Sequence, residues 1–333
     1  MSIQAGRAAT HHASAAPAHR ARARRVASVL AAALLAAACT GADAGRAGTK
    51  AADSASSSAA ISAVDDAGQP LRMAAPARHI VSLIPSATET LLAIGAGDRL
   101  AGRTDFDTGP GLDSVPSVGG GMDPSLEALA ALKPDLVLGW KSANDHGLRD
   151  RLRALGIPFF AVHAEDTTDV YRTIRNLGVL TARTRAADSL SASLRRELVA
   201  LHASVEGRGT PSVFFLVWND PPMTAGPETF ISQMLGVAGG ANVFGDQAQL
   251  WPNVSMEEIV RRDPDWLVLP QGEKGGAHDV AQLRAATGWR ELRAMKTGRT
   301  LTLPADLVNR PGPRMAQAAR RLRDGLHPEL AGR

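Results

Sequence analysis

The chain has 333 residues, 44% of them apolar, which is room for about two domains with substantial cores. Its formal charge of +4 misleads: Arg7, Arg20, Arg22, Arg24 and Arg25 fall within the first 38 residues with no acid among them, and without these five the remainder carries −1. That excludes the clustered basic footprint of a nucleic-acid binder, and the single cysteine, Cys39, excludes an intrachain disulfide.

In chain order, Arg20 to Arg25 form a charged run, residues 26–38 an apolar run, and Ala36-Ala37-Ala38 lead into Cys39. The apolar run is about 13 residues, short of the ~20 that span a bilayer. The pattern resembles a bacterial lipoprotein signal, with residues 1–38 removed and Cys39 lipidated. Residues 39–77 are rich in Ala, Ser, Gly and Asp and carry too little apolar surface to offset the entropy of folding. They read as a flexible tether.

The folded body begins at a strand over residues 79–84, ended by Pro85. Ser86-Ala-Thr-Glu89 has the form of a capping box for a helix that carries Leu91, Leu92 and Ile94 inward and stops at Gly95 and Gly97. A second strand begins at Leu100, a loop follows over residues 104–110, and a glycine-rich approach leads to Asp123 and Pro124 as N-cap and first helical residue. That helix buries Leu126, Leu129 and Leu132, breaks at Pro134-Asp135 and gives way to a strand that emerges at Trp140. A helix over residues 146–155, a strand over 158–162 and a helix over 167–182 complete an N-terminal lobe, residues 79–182.

Residues 184–206 hold an unbroken helical pattern without Gly or Pro, on the order of 30 Å long. Alternation then restarts over residues 211–330: a strand at 213–217, a loop at 218–226, a helix at 228–237, a helix at 282–292, a strand at 300–303 and a last helix at 314–326. Within it the helix-break-strand unit recurs. Glu257 lies seven positions before Pro264-Asp265, as Glu127 lies seven before Pro134-Asp135. The segments Leu92-Ala-Ile-Gly-Ala-Gly97 and Leu235-Gly-Val-Ala-Gly-Gly240 match as well. The expected fold is therefore α/β: two similar lobes with mostly parallel sheets, joined by one long rigid helix, with a ligand cleft between them. A rigid connection implies little closure on binding.

No G-x-S-x-G elbow or P-loop is present. The histidines of the body, His79, His146, His163, His202, His278 and His327, show no metal-ligand spacing, so neither catalysis nor a resident metal is expected. The strand exits are more informative, because ligands of open α/β sheets bind outside the carboxyl ends of strands. Phe106, Trp140, Trp218, Trp251 and Arg310 sit in such loops. Rings there can cover a large flat ligand, and Arg310 can meet a carboxylate, phosphate or amide. Trp266 and Trp289 read as core. A first-turn glutamate is favourable through the helix dipole alone. Its equivalent placement in both lobes makes Glu127 and Glu257 candidates for docking on a symmetric partner.

On Ser82-Leu-Ile-Pro-Ser-Ala-Thr-Glu89, Gly102-Arg-Thr-Asp-Phe106, Leu132-Lys-Pro-Asp-Leu-Val137, Thr224-Ala-Gly226 and Trp251-Pro-Asn-Val-Ser255, the body resembles periplasmic substrate-binding proteins of the helical-backbone class. These serve ABC importers for cobalamin, ferric siderophores and haem. The resemblance implies an exported, periplasmic, monomeric receptor held at a membrane by Cys39. It would pass a corrinoid or an iron chelate to an ABC permease dimer with its ATPase subunits, and Glu127 and Glu257 would meet permease arginines. The cobalamin-binding members are closest in appearance. Their cleft positions map to Phe106, usually Tyr, and to Trp140, Trp251 and Arg310, while Gly119 stands where a cobalamin binder has a Trp. Such a ligand brings its own metal, so no cofactor is expected. The alternatives are a ferric siderophore, with haem behind it because the lone Tyr171 lies on a helix, and a chelatase-like enzyme on a related two-lobed fold. A receptor that feeds a sensor rather than a permease is a further one.

Overall fold

The computed structural model describes residues 60–141, 145–272 and 280–332. The signal, Cys39 and the first part of the expected tether lie outside the described residues.

The N-terminal lobe contains β1 (Ile61–Val64), β2 (Pro70–Met73), β3 (Ile80–Ser82), α1 (Pro85–Ala93), β4 (Leu100–Gly102), α2 (Leu126–Ala131), β5 (Leu136–Trp140), α3 (Asp145–Ala154), β6 (Phe159–Val162) and α4 (Thr167–Leu180). The connecting helix is α5 (Thr184–Val205). The C-terminal lobe contains β7 (Ser212–Phe215), β8 (Trp218–Asn219), β9 (Pro222–Met223), α6 (Phe230–Val237), β10 (Ala241–Asn242), α7 (Met256–Arg262), β11 (Trp266–Gln271), α8 (Val280–Ala285), α9 (Arg293–Lys296), β12 (Thr300–Pro304), α10 (Ala305–Val308) and α11 (Met315–Leu326).

The two main sheets have the same plan. One runs β4-β3-β5-β6 and the other β10-β7-β11-β12, with every neighbouring pair parallel. Equivalent residues do equivalent work in each. The Asp135 carboxylate accepts the backbone N–H groups of Arg78 and His79 at 2.8 and 3.0 Å, just ahead of β3. The Asp265 carboxylate accepts the N–H and hydroxyl of Ser212, both at 2.9 Å, at the start of β7. The Pro-Asp break thus staples each incoming strand to its central neighbour. Gly95 and Gly239, at φ 72° and 79°, close α1 and α6. The next N–H in each case reaches back to Leu91 O at 2.8 Å or Leu235 O at 2.9 Å, the Schellman arrangement that glycine permits.

Several helix starts differ from expectation. Pro85 opens α1 rather than merely ending β3, and Ser86 makes no cap there. Asp123 is not the N-cap of α2; Ser125 is, accepting Ala128 N–H at 3.2 Å, as Ser255 accepts Glu258 N–H at 3.1 Å in α7. The helix expected over 282–292 is divided, α8 giving way to a separate turn at Trp289–Glu291 beside Gly288 at φ 87°. Trp289 is buried and Trp266 packs partly buried against the core, both as expected.

The largest difference is at the start. Residues 61–73, expected within the tether, form the antiparallel β1–β2 hairpin. Its turn is locked onto the lobe by two aspartates. Asp65, 4% exposed, pairs with Arg149 at 2.7 Å and accepts the N–H groups of Ala67, Gln69 and Ala161. Asp66 pairs with Arg172 and accepts His163 N–H at 2.6 Å. These polar anchors add to the packing of Ile61, Ala63, Leu71 and Met73, which rest partly buried against the core. Asp65→Ala should therefore cost about 3–5 kcal/mol of stability, since it removes one partner of a buried ion pair together with the acceptor of three backbone N–H groups. Urea denaturation measures this; a loss below about 1 kcal/mol would mean that the hairpin is not integral to the lobe.

Candidate functional site

A cavity of ≈ 870 Å³ opens between the lobes. Its walls come from strand exits in both sheets: Leu83 to Ser86 after β3, the 104–108 loop after β4, Trp140 at the end of β5, Gly272 after β11, and the α10 segment after β12. This is the position the parallel topology assigns to a ligand, and the volume suits a large small molecule.

Three of the five sequence-predicted ligand residues meet there. Phe106, 42% exposed, and Trp140, which also rests on the core, give two aromatic surfaces in the N-terminal lobe. Arg310 faces them from the C-terminal lobe. Its Nη2 donates to Phe106 O at 2.8 Å and its Nη1 to Glu89 Oε1 at 3.2 Å. Trp218 and Trp251 are outside the lining. Trp218 lies on the β8–β9 hairpin and its indole turns back to Asp220 O at 2.9 Å. Trp251 donates to Glu165 Oε2 at 3.1 Å, a contact between lobes rather than into the cavity. Arg103, a basic candidate by position, is consumed in holding its own loop through Leu112 O and Thr104 O at 2.9 Å each.

The structure adds residues that strand-exit reasoning did not find. Met122, 70% exposed, lines the cavity beside Gly121. A Cβ on Gly121 would stand 2.4 Å from Leu83 O, so only glycine lets this segment approach the β3 exit. On the opposite wall are Asp306 and Asn309. Asn309 Oδ1 is buried with no hydrogen-bond partner. Asp306 lies in the short helix α10, and Asn309 and Arg310 follow directly at its C-terminal end; their closeness in sequence to Arg310 was the available signal.

Among the described residues, the charged groups of the lining are Asp105, Asp123, Asp306 and Arg310. Asp105 accepts the Ser117 hydroxyl at 2.6 Å. Asp306 receives Arg314, which also reaches Glu89. Burial works against the Arg314 charge, but its bonds to Glu89 and Asp306 outweigh that and hold its pKa above the usual arginine value. Among the described residues the lining contains no histidine, tyrosine or cysteine, and no three His, Cys, Asp or Glu side chains converge as a metal site. Away from the cavity, Glu127 and Glu257 are exposed in the first turns of α2 and α7, each two residues past its capping serine.

The family model described as periplasmic binding protein matches residues 80–307. The chain belongs to that family. It is 32% identical over 275 residues to the uncharacterized ABC transporter substrate-binding lipoprotein YvrC of Bacillus subtilis (strain 168), covering 80% of this chain and 85% of the relative. It is 29% identical over 249 residues to the vitamin B12-binding protein of Pectobacterium carotovorum subsp. carotovorum, covering 74% and 87%. A solved structure of a possible iron-binding periplasmic solute-binding protein from Staphylococcus epidermidis superposes with TM-score 0.66 at 29% identity, covering 76% and 100%. The chain is thus a substrate-binding protein of the ABC-transporter type. Such proteins deliver small-molecule ligands to a permease.

Proposed function

We propose that this binding protein captures cobalamin or a related corrinoid in the interlobe cavity and delivers it to an inner-membrane permease. The chemistry of the lining carries the reading. A corrinoid is a broad ring edged with carboxamides, which need hydrogen-bond acceptors for their N–H groups and donors for their carbonyls. Asp105, Asp123 and Asp306 are acceptors, Arg310 is a donor, and Phe106 and Trp140 are apolar faces for the ring. Haem propionates or a polyanionic iron chelate would meet, among the described residues, the carboxylates of Asp105, Asp123 and Asp306 and an Arg310 that is already paired. The similarity to vitamin B12-binding proteins points the same way. A ferric siderophore is the second reading, favoured by the likeness to the Staphylococcus protein. In the same proposal Cys39 carries the lipid anchor, in keeping with the Bacillus lipoprotein relative, and Glu127 and Glu257 engage the permease.

Calorimetric titration with cyanocobalamin, haemin and a ferric siderophore separates the ligands. Cyanocobalamin is expected to bind with Kd below about 1 μM and the others at least about tenfold more weakly. Trp140→Ala should weaken cyanocobalamin binding by about ten- to a hundredfold, the value of one large apolar contact. Tight siderophore binding without cyanocobalamin heat would replace the first reading with the second.

The docking assignment has its own test. The double variant Glu127→Ala, Glu257→Ala should keep ligand affinity within about twofold, a change worth under ~0.5 kcal/mol. Uptake of labelled ligand by cells with the cognate permease should fall to the level seen without the binding protein. Unchanged uptake would remove these two residues from the interface.

A further inference from the structure

The Ser86-x-x-Glu89 motif looks like a capping box, yet Glu89 caps nothing. Its side chain, 12% exposed, turns from α1 in the N-terminal lobe to two arginines of the other lobe. Oε1 accepts Arg310 Nη1 at 3.2 Å and Arg314 Nη2 at 2.7 Å, and Oε2 accepts Arg314 Nε at 3.1 Å. Arg314 is bound in turn to the carboxylate and carbonyl of Asp306, at 2.9 and 2.8 Å. The backbone closes in at the same place: a Cβ on Gly312 would meet Ser86 Cβ at 3.2 Å and Glu89 Oε2 at 3.7 Å. Glu89 itself is outside the cavity lining, whereas Arg310 is part of it.

We infer that Glu89 is a positioning residue that sets which ligand charge the cavity accepts, by masking Arg310 while it ties the lobes together. Arg310 then offers directed N–H donors with little net positive field. Two cations and two carboxylates, Glu89 and Asp306, balance within the cluster. Arg310 so gives an anion little net charge to bind and suits a neutral ligand rich in amides. The inference rests on the corrinoid reading for its ligand class, but the masking itself is a property of the cluster. Glu89→Gln keeps the shape and one acceptor oxygen while removing the charge. It leaves Arg310 partly unpaired against the cavity, where an added positive charge attracts an anion strongly because solvent screens it poorly.

The test titrates the full chain with a neutral probe, cyanocobalamin, and an anionic one, haemin, comparing wild type, Glu89→Gln and Glu89→Asp. The Glu89→Gln variant should raise the ratio of haemin to cyanocobalamin affinity by about tenfold or more. Its haemin binding should weaken with added salt. Glu89→Asp, which keeps the charge, should stay within about threefold of the wild-type ratio. An unchanged ratio, or an equal loss of both affinities, would reduce Glu89 to a structural tie and overturn the inference. Wild-type preference for haemin would overturn the corrinoid reading alone, because the masking is judged by the change from wild type. Should wild type bind neither probe, the corrinoid reading fails, and the masking is then decided by whether haemin binding appears in Glu89→Gln and not in Glu89→Asp; no gain in either variant would overturn it.

Discussion

One apolar core runs through both lobes, and the cleft depends on it. Ile84 and Leu91 from α1 and its approach, Leu194 and Leu201 from α5, and Phe215 and Leu322 from the second lobe belong to the same buried cluster. Each lobe also has a private cluster on the far face of its sheet, around Val81 and Leu129 in one and around Phe214 and Ile259 in the other. Separating the lobes would expose the shared cluster at roughly 25 cal/mol for each Å² uncovered. The sheets therefore keep a near-fixed relation, with their carboxyl ends facing a common space. Polar ties at either side reinforce it: Glu89 with Arg310 and Arg314, and Glu165 with Trp251 and the Phe230 N–H.

A cavity formed before the ligand arrives needs its polar groups fixed in advance, and the structure does this economically. The same α10 turn that ends β12 supplies Asp306, Asn309 and Arg310, and two of the three are held by partners outside the cavity. The opposite wall rises from loops stiffened in similar fashion. Asp107, buried, accepts both the N–H and hydroxyl of Thr104, and Arg103 is bonded across the base of the same loop. Little reorganisation is left for binding to oppose, which is where preorganised sites gain affinity.

The duplication was legible in the sequence because its signals are local. Pro-Asp breaks, first-turn glutamates, glycine stops and buried strands each occupy a few consecutive residues, and they recur in order. Phe106, Trp140 and Arg310 were legible for the same reason, since a strand exit fixes where its next residue points. Trp218 and Trp251 follow that rule only in part. The chain after β7 folds back as β8–β9, with Thr224 N–H bonded to Pro252 O and its hydroxyl to Phe215 O, and neither ring is part of the cavity lining. The partner of Trp251 lies 86 residues away, beyond any periodicity. The β1–β2 hairpin was hidden for a related reason. Its apolar residues, Ile61, Ala63, Leu71 and Met73, are only partly buried on the core, and its turn is fixed by ion pairs from Asp65 and Asp66 to arginines 84 and 106 residues distant. Glu89 had a plausible local role, and a long-range one prevailed.

A crystal structure of the chain with cyanocobalamin, with anomalous data collected at the cobalt edge, tests the central claim most directly. The account predicts one cobalt peak in the interlobe cavity, with the corrin ring between Phe106 and Trp140 on one side and the α10 turn on the other. It also predicts that the Glu89–Arg310 and Glu165–Trp251 contacts are retained. A cobalt peak elsewhere on the surface, or lobes rotated apart with those contacts broken, would contradict it.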